Sequence, residues 1–133
     1  MATIRNFRDL VAWQKGMKLA RAVYRASETM PKTELFGLRI QMRRSAVSVP
    51  SNIAEGYGRQ SRSDYLRHLR IARGSLAELA TQYELAADMR MIDEDPELTL
   101  LLAEEDRILQ ALIRSLEKTP AQAHPKADDI VVG

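Results

Sequence analysis

Residues 39–73 concentrate the side chain best suited to holding an anion. Arg39, Arg43, Arg44, Arg59, Arg62, Arg67, Arg70 and Arg73 stand there against only Glu55 and Asp64, a local balance of +6. A guanidinium is a planar, permanently charged fork of donors that matches phosphate and carboxylate oxygens. Nothing beside these arginines completes a reaction centre: the stretch has no nucleophile next to a base, no cluster of metal ligands and no glycine-rich phosphate loop after a strand. Asn52 and Glu55 make a polar pair, but with neither nucleophile nor histidine beside them in the sequence they read as structural groups that fix a turn. Glu55 stands near a helix C-terminus, where the dipole disfavours a carboxylate, so it calls for an arginine such as Arg59 or Arg62. A carboxylate-bridged metal site in a helical bundle wants Glu-x-x-His pairs, and neither His68 nor His124 follows a glutamate at that spacing. The expectation is a binding module, not an enzyme, with no metal and no cofactor.

The rest of the composition fits that role. At 133 residues, 45% hydrophobic and 29% charged, the chain supports one domain with a real core. With 6 Gly, 5 Pro and no alternating β-branched run, it is all-α. The lack of cysteine excludes disulfides and thiolate chemistry. No apolar run resembles a signal peptide or approaches the roughly 20 residues of a membrane span, so a cytoplasmic location away from membranes is expected. The net charge of +2 hides an asymmetry: residues 1–73 carry 15 Lys and Arg against 5 Asp and Glu, whereas residues 74–133 carry 5 against 13. Halves of +10 and −8 call for a polyanion on the basic half, or for copies that dock basic surface to acidic surface.

Four helices must position these groups. The first is expected from about Arg8 to Glu28, with Leu10, Trp13, Met17, Ala20 and Tyr24 on its core face, Trp13 as an anchor, and Lys15, Lys18, Arg21 and Arg25 toward the other side. After a turn at Met30-Pro31-Lys32, Thr33 is the expected N-cap of a second helix that begins near Glu34. Its core stripe is Leu35, Leu38, Met42, Ala46, Val49 and Ile53. A second stripe of Phe36, Ile40, Val47 and Ala54 makes the apolar arc wider than one small bundle buries, which predicts self-association. Pro50 should kink or interrupt this helix, and Gly56 is its candidate C′ residue.

Ser61 or Ser63 caps a third helix to about Met91, with Tyr65, Leu69, Ala72, Leu76, Leu79, Tyr83 and Ala86 in heptad spacing. Gly74-Ser75 within it admits a close neighbour, and Ile71 on its outer side adds to a partner surface. Asp95 followed by Pro96 starts a fourth helix to about Lys118. Its apolar face is interrupted by Glu105, which requires a basic or hydroxyl partner such as Arg21, Arg73, Tyr24 or Tyr83. Residues 1–118 are thus read as an up-and-down four-helix bundle, and 119–133 as a flexible tail.

Several runs resemble one family. Leu10-x-x-Trp13-Gln14-Lys15, Glu34-Leu35-Phe36-Gly37-Leu38, the continuous stretch Gln41 to Gly56 and Ile71-Ala72-x-Gly74-Ser75-Leu76-x-Glu78 are similar to the four-helix-bundle proteins encoded in intervening sequences of bacterial 23S rRNA genes. That family in turn resembles the accessory protein of diversity-generating retroelements, a pentameric bundle that binds nucleic acid and a reverse transcriptase. The resemblance implies a homopentamer whose partners are RNA or DNA and a nucleic-acid enzyme, and it implies no established activity. Arg39, where a small polar residue is usual, and Ala80, where an acid is common, depart from the family's pattern. The leading expectation is therefore an oligomer that grips phosphates through the eight arginines, with Phe36, Ile40, Val47, Ile71 and Gly74 at the contact between copies. The alternative is a scaffold that docks acidic proteins.

Overall fold

The computed structural model describes residues 3–34 and 36–118, and these form an all-α four-helix bundle. A 3-10 turn at Phe7–Asp9 leads into α1 (Val11–Ser27), and a second at Lys32–Glu34 precedes α2 (Leu38–Tyr57), followed by α3 (Arg62–Asp88) and α4 (Pro96–Glu117). Short connections make successive helices antiparallel, and the packed pairs are α1 with α2, α2 with α3, α3 with α4, and α4 back to α1. One end of the bundle therefore holds the start of α1, the α2–α3 turn and the end of α4. The other holds the end of α1, the start of α2 and the α3–α4 turn.

The caps follow local chemistry. The Ser61 side chain accepts from the Asp64 amide at 3.1 Å, and Asp95 accepts from Glu97 and Leu98 with Pro96 in the first turn of α4. Thr33 does not cap α2: the chain makes a 3-10 turn there, and the Glu34 carboxylate accepts the Leu38 amide at 3.1 Å one turn later. Leu35 and residues 119–133 lie outside the described residues, and with them a core position and the expected tail. α2 runs unbroken through Pro50. Gly56 is not a C′ residue either; it is buried inside α2, and the cap is Gly58, in ordinary right-handed conformation.

The core of α3 is the heptad: Tyr65, Leu69, Ala72, Leu76, Leu79, Tyr83 and Ala86 are all buried. In α4, Leu98, Leu101, Leu109, Leu112, Ile113 and Leu116 are buried, with Leu102 and Ile108 packed partly against them. α1 differs from expectation in part: Leu10 and Ala20 are buried as expected, but the large residues are not. Its buried side is Ala12, Gly16, Leu19, Ala20, Val23 and Ser27, whereas Trp13 and Met17 are half-buried and Tyr24 is 44% exposed. Trp13 packs edge-on against Phe7 at 5.4 Å at the rim of the bundle. Small residues face inward because α1 comes close to α2, where Gly16 opposes Pro50.

Candidate functional site

α2 and α3 carry the eight arginines, and because they are antiparallel they divide them. Arg39, Arg43 and Arg44 stand at the start of α2. Arg59, Arg62, Arg67 and Arg70 cluster around the α2–α3 turn, with Arg73 one turn further along α3. At 1.5 Å per residue, Arg44 and Arg59 are separated by about 22 Å of helix axis. The +6 segment is therefore two groups.

Most of these arginines have partners within the chain. Arg43 donates to the Ser27 hydroxyl at 2.9 Å, the Tyr24 carbonyl at 3.2 Å and Glu28 at 3.1 Å, with its guanidinium 4.5 Å from the centre of the Tyr24 ring. Arg39 meets the same Glu28 oxygen at 3.1 Å. Arg62 donates to the Leu116 carbonyl at 2.8 Å, satisfying an open end of α4. Arg70 pairs with Glu117 at 2.9 Å and Arg73 with Asp106 at 3.1 Å, both across to α4. Arg59 takes Glu55 at 2.6 Å, the partner expected for that carboxylate. Arg67 lies 3.8 Å from Asp64 and 3.3 Å from the His68 ring. Arg44 is exposed and has no ion-pair partner among the described residues.

Asn52 does not fix a turn but joins two helices, and the fold sets a histidine beside the Asn52 and Glu55 pair after all, with Nε2 of His68 4.0 Å from Glu55. The Asn52 amide nitrogen donates to the Ser48 carbonyl at 2.9 Å and hydroxyl at 3.0 Å, and the Ser48 hydroxyl meets that of Ser75 on α3 at 2.7 Å. With the Asn52 nitrogen so engaged, its oxygen accepts from Nδ1 of the buried His68 at 3.0 Å, which fixes the proton on that ring nitrogen. Gly56 allows the approach: a Cβ there would lie 2.7 Å from the His68 Cβ and 3.1 Å from Tyr65. Ser48, Ser75 and His68 were not legible as a unit, since 27 residues separate the two serines. Tyr65 ends this region with a buried hydroxyl that has no partner among the described residues, and burial raises its pKa.

Glu105 contradicts its sequence expectation. It is fully buried, and neither carboxyl oxygen has a hydrogen-bond partner among the described residues; Arg21, Arg73, Tyr24 and Tyr83 do not serve it. Arg73 is held by Asp106, and the Tyr83 hydroxyl by the Asp95 backbone. Lys15, the cation next to it, pairs with Glu104 at 2.6 Å, and that hydrogen bond lowers the Glu104 pKa. Burial, with the Glu104 charge adding to it and Lys15 opposing, pushes Glu105 up to about 8. The carboxyl is accordingly protonated through neutral pH.

The expected contact residues between copies are all accessible to some degree. Phe36 is 89% exposed, Val47 and Ile71 are each about two-fifths exposed, Ile40 is half-buried, and a Cβ on Gly74 would meet open space. Among the described residues no group of three His, Cys, Asp or Glu could hold a metal ion, and no helix is long and apolar enough to cross a membrane.

The model of the 23S rRNA-intervening sequence protein family matches residues 8–114. No curated protein matches the chain.

Proposed function

The chain belongs to the family of 23S rRNA-intervening sequence proteins, and from that membership and the placement of its arginines we propose a non-catalytic, oligomeric accessory module. It holds nucleic acid by its phosphates, with little regard for base sequence, and in the homopentamer that the family resemblance implies it does so through several copies together. The observation that carries this reading is the charge at the end of the bundle formed by the α2–α3 turn. Arg59, Arg62, Arg67 and Arg70 meet there with Arg5, Arg8, Arg114 and Lys118, against Asp9, Glu55, Asp64 and Glu117.

The ion pairs at this end do not oppose the reading. Arg59 and Arg70 with their carboxylates are about half exposed, and exposed pairs contribute only about 0–1 kcal/mol. A phosphate can displace such a carboxylate at little cost. Arg39 and Arg43 are different, because Arg43 is committed to four groups on Tyr24, Ser27 and Glu28 at the end of α1, and both share Glu28. In this proposal they brace the fold and take no part in binding.

Titrating the purified protein into duplex DNA, single strands and structured RNA tests the proposal. Binding that weakens steeply with salt and varies little with sequence at fixed length is expected. Absence of binding to all three at low salt would replace it with the scaffold for acidic proteins.

A further inference from the structure

Two grooves run along opposite sides of the bundle. One lies between α1 and α2, where Trp13, Met17 and Tyr24 face Val47, Ser51 and Ala54. The other is a cleft of about 1220 Å³ between α3 and α4, lined by Gly74, Leu76, Ala77, Ala80, Leu102 and Ile113. Small residues at Gly74, Ala77 and Ala80 leave room for a helix to come close to α3. The outer stripe of α2, Ile40, Arg44, Val47, Ser51 and Ala54, has the 4, 3, 4, 3 spacing of a helix that packs along a seam.

Charge distinguishes the two sides. Arg21 and Arg25 line the first groove, and Arg44 stands one turn from Val47 on the same stripe. None of the three has an ion-pair partner among the described residues. Glu84, Asp88 and Glu94 line the cleft, and they too are without ion-pair partners among the described residues. Both sets lie in the same half of the bundle, toward the end of α1 and the α3–α4 turn. Arg70 and Arg73, toward the other end of the cleft, are paired across to Glu117 and Asp106, so the charges left unpaired in this half are cations on one side and acids on the other, which are complementary in sign.

We propose that the α3–α4 cleft of one copy receives the outer face of α2 from a second copy, with Glu84, Asp88 and Glu94 meeting Arg21, Arg25 and Arg44. This rests on the oligomeric part of the reading above and adds which faces meet. A symmetric contact of the α1–α2 face with itself would set Arg21, Arg25 and Arg44 against their own copies, which repulsion disfavours. The cleft-to-α2 contact uses a different face on each side, so it repeats from copy to copy and closes into a ring where the rotation allows. Val47 and Gly74 then belong to opposite sides of the same interface.

Sedimentation of the full chain without nucleic acid tests this, independently of phosphate binding. The variants are Arg25→Glu with Arg44→Glu, and Glu84→Lys with Asp88→Lys, none of which removes an ion pair within the bundle. Wild type should sediment as a multimer at tens of micromolar; each double variant alone should dissociate to monomer with its helical circular dichroism retained. Mixing the two in equal amounts should restore association to dimers or larger even-membered assemblies, because each reversed face meets a complementary one only where the two variants alternate, which a ring of five cannot do throughout. A monomeric wild type, double variants that keep the wild-type mass, or a mixture that stays monomeric would each overturn the proposal. Should either double variant lose helicity, Val47→Asp, at a two-fifths exposed position, takes its place, and an unchanged mass there would equally overturn it.

Discussion

Oε2 of Glu105 lies 2.8 Å from the point where a Cβ on Gly16 would stand. The absent side chain of α1 is what gives the α4 carboxyl its place, and Pro50 closes the same niche from α2, 3.4 Å from that point. A Cβ at residue 16 must therefore push either Glu105 or the α1–α2 contact. Gly16→Ala should destabilise by about 1–3 kcal/mol, as overpacking does. In a double-mutant cycle, Glu105→Ala should relieve part of that cost; additive effects would show that Glu105 is not what Gly16 accommodates.

Protonation of Glu105 links the same niche to pH. Its folded-state pKa of about 8 stands above the ordinary 4.5, so between these values the folded chain holds a proton that the unfolded chain releases. The associated stability is fully present below about pH 4.5 and is lost as pH rises through about 8, with a limiting slope of about 1.4 kcal/mol per pH unit. Glu105→Gln, which cannot ionise, should remove this component of the pH dependence. Denaturation at pH 5, 6.5 and 8 checks it, and equal pH profiles for wild type and variant would mean the carboxyl is ionised or solvated. Glu105→Met, apolar and of similar length, should stabilise by about 1–3 kcal/mol at neutral pH, since it removes a buried polar group without a partner.

The heptad of α3, the Asp95-Pro96 start and the burial of Glu105 were legible because each is written in residues a few positions apart. Two features were not. In α1 the large residues Trp13, Met17 and Tyr24 suggested the core face, yet close packing against α2 selects Ala12 and Gly16, and periodicity alone does not rank two apolar faces. In the arginine segment, charge counted along the chain omits Glu28, Asp106 and Glu117, which reach Arg39, Arg73 and Arg70 only through the fold.

Adjacent arginines should then behave differently. Arg43 is one-fifth exposed and bonded to Ser27, Tyr24 and Glu28, whereas Arg44 is exposed without an ion-pair partner among the described residues. Arg43→Lys should cost about 1–3 kcal/mol, because an ammonium does not reproduce the fork of donors or the ring contact. Arg44→Lys should be within about 0.5 kcal/mol of wild type in stability, as at ordinary surface sites. Thermal melts of the two single variants decide this, and equal destabilisation would remove the distinction.

Two neighbouring glycines give a similar contrast. At Gly56 a Cβ would meet the His68 Cβ at 2.7 Å and the Tyr65 ring at 3.1 Å, while at Gly58 the nearest atom is a carbonyl oxygen at 3.6 Å. Gly56→Ala should separate α2 from α3 and weaken the Asn52–His68 hydrogen bond, at about 1–3 kcal/mol. Gly58→Ala, with a right-handed backbone at φ −79°, should be nearly neutral. Chemical denaturation checks both, and a neutral Gly56→Ala would mean that the two helices move apart freely.

For nucleic acid, the division of the arginines predicts which substitutions matter. Arg59→Gln, Arg67→Gln and Arg70→Gln remove cations from the end of the bundle at the α2–α3 turn, where the charge excess lies. Removing one arginine–phosphate interaction should reduce the slope of log K against log salt by about one on duplex DNA. The weakening should be nearly uniform across sequences, since interactions with phosphate carry no base information. Arg44→Gln, about 22 Å away along the α2 axis, should leave the slope unchanged when tested on a DNA short enough to span one end only. If Arg44→Gln alone lowers the slope while the other three do not, the phosphate surface is at the start of α2, beside Arg21 and Arg25. If neither set has any effect although the wild type binds, the phosphates are held by other cations, with Arg5, Arg8, Arg114 and Lys118 of the same end the next to replace.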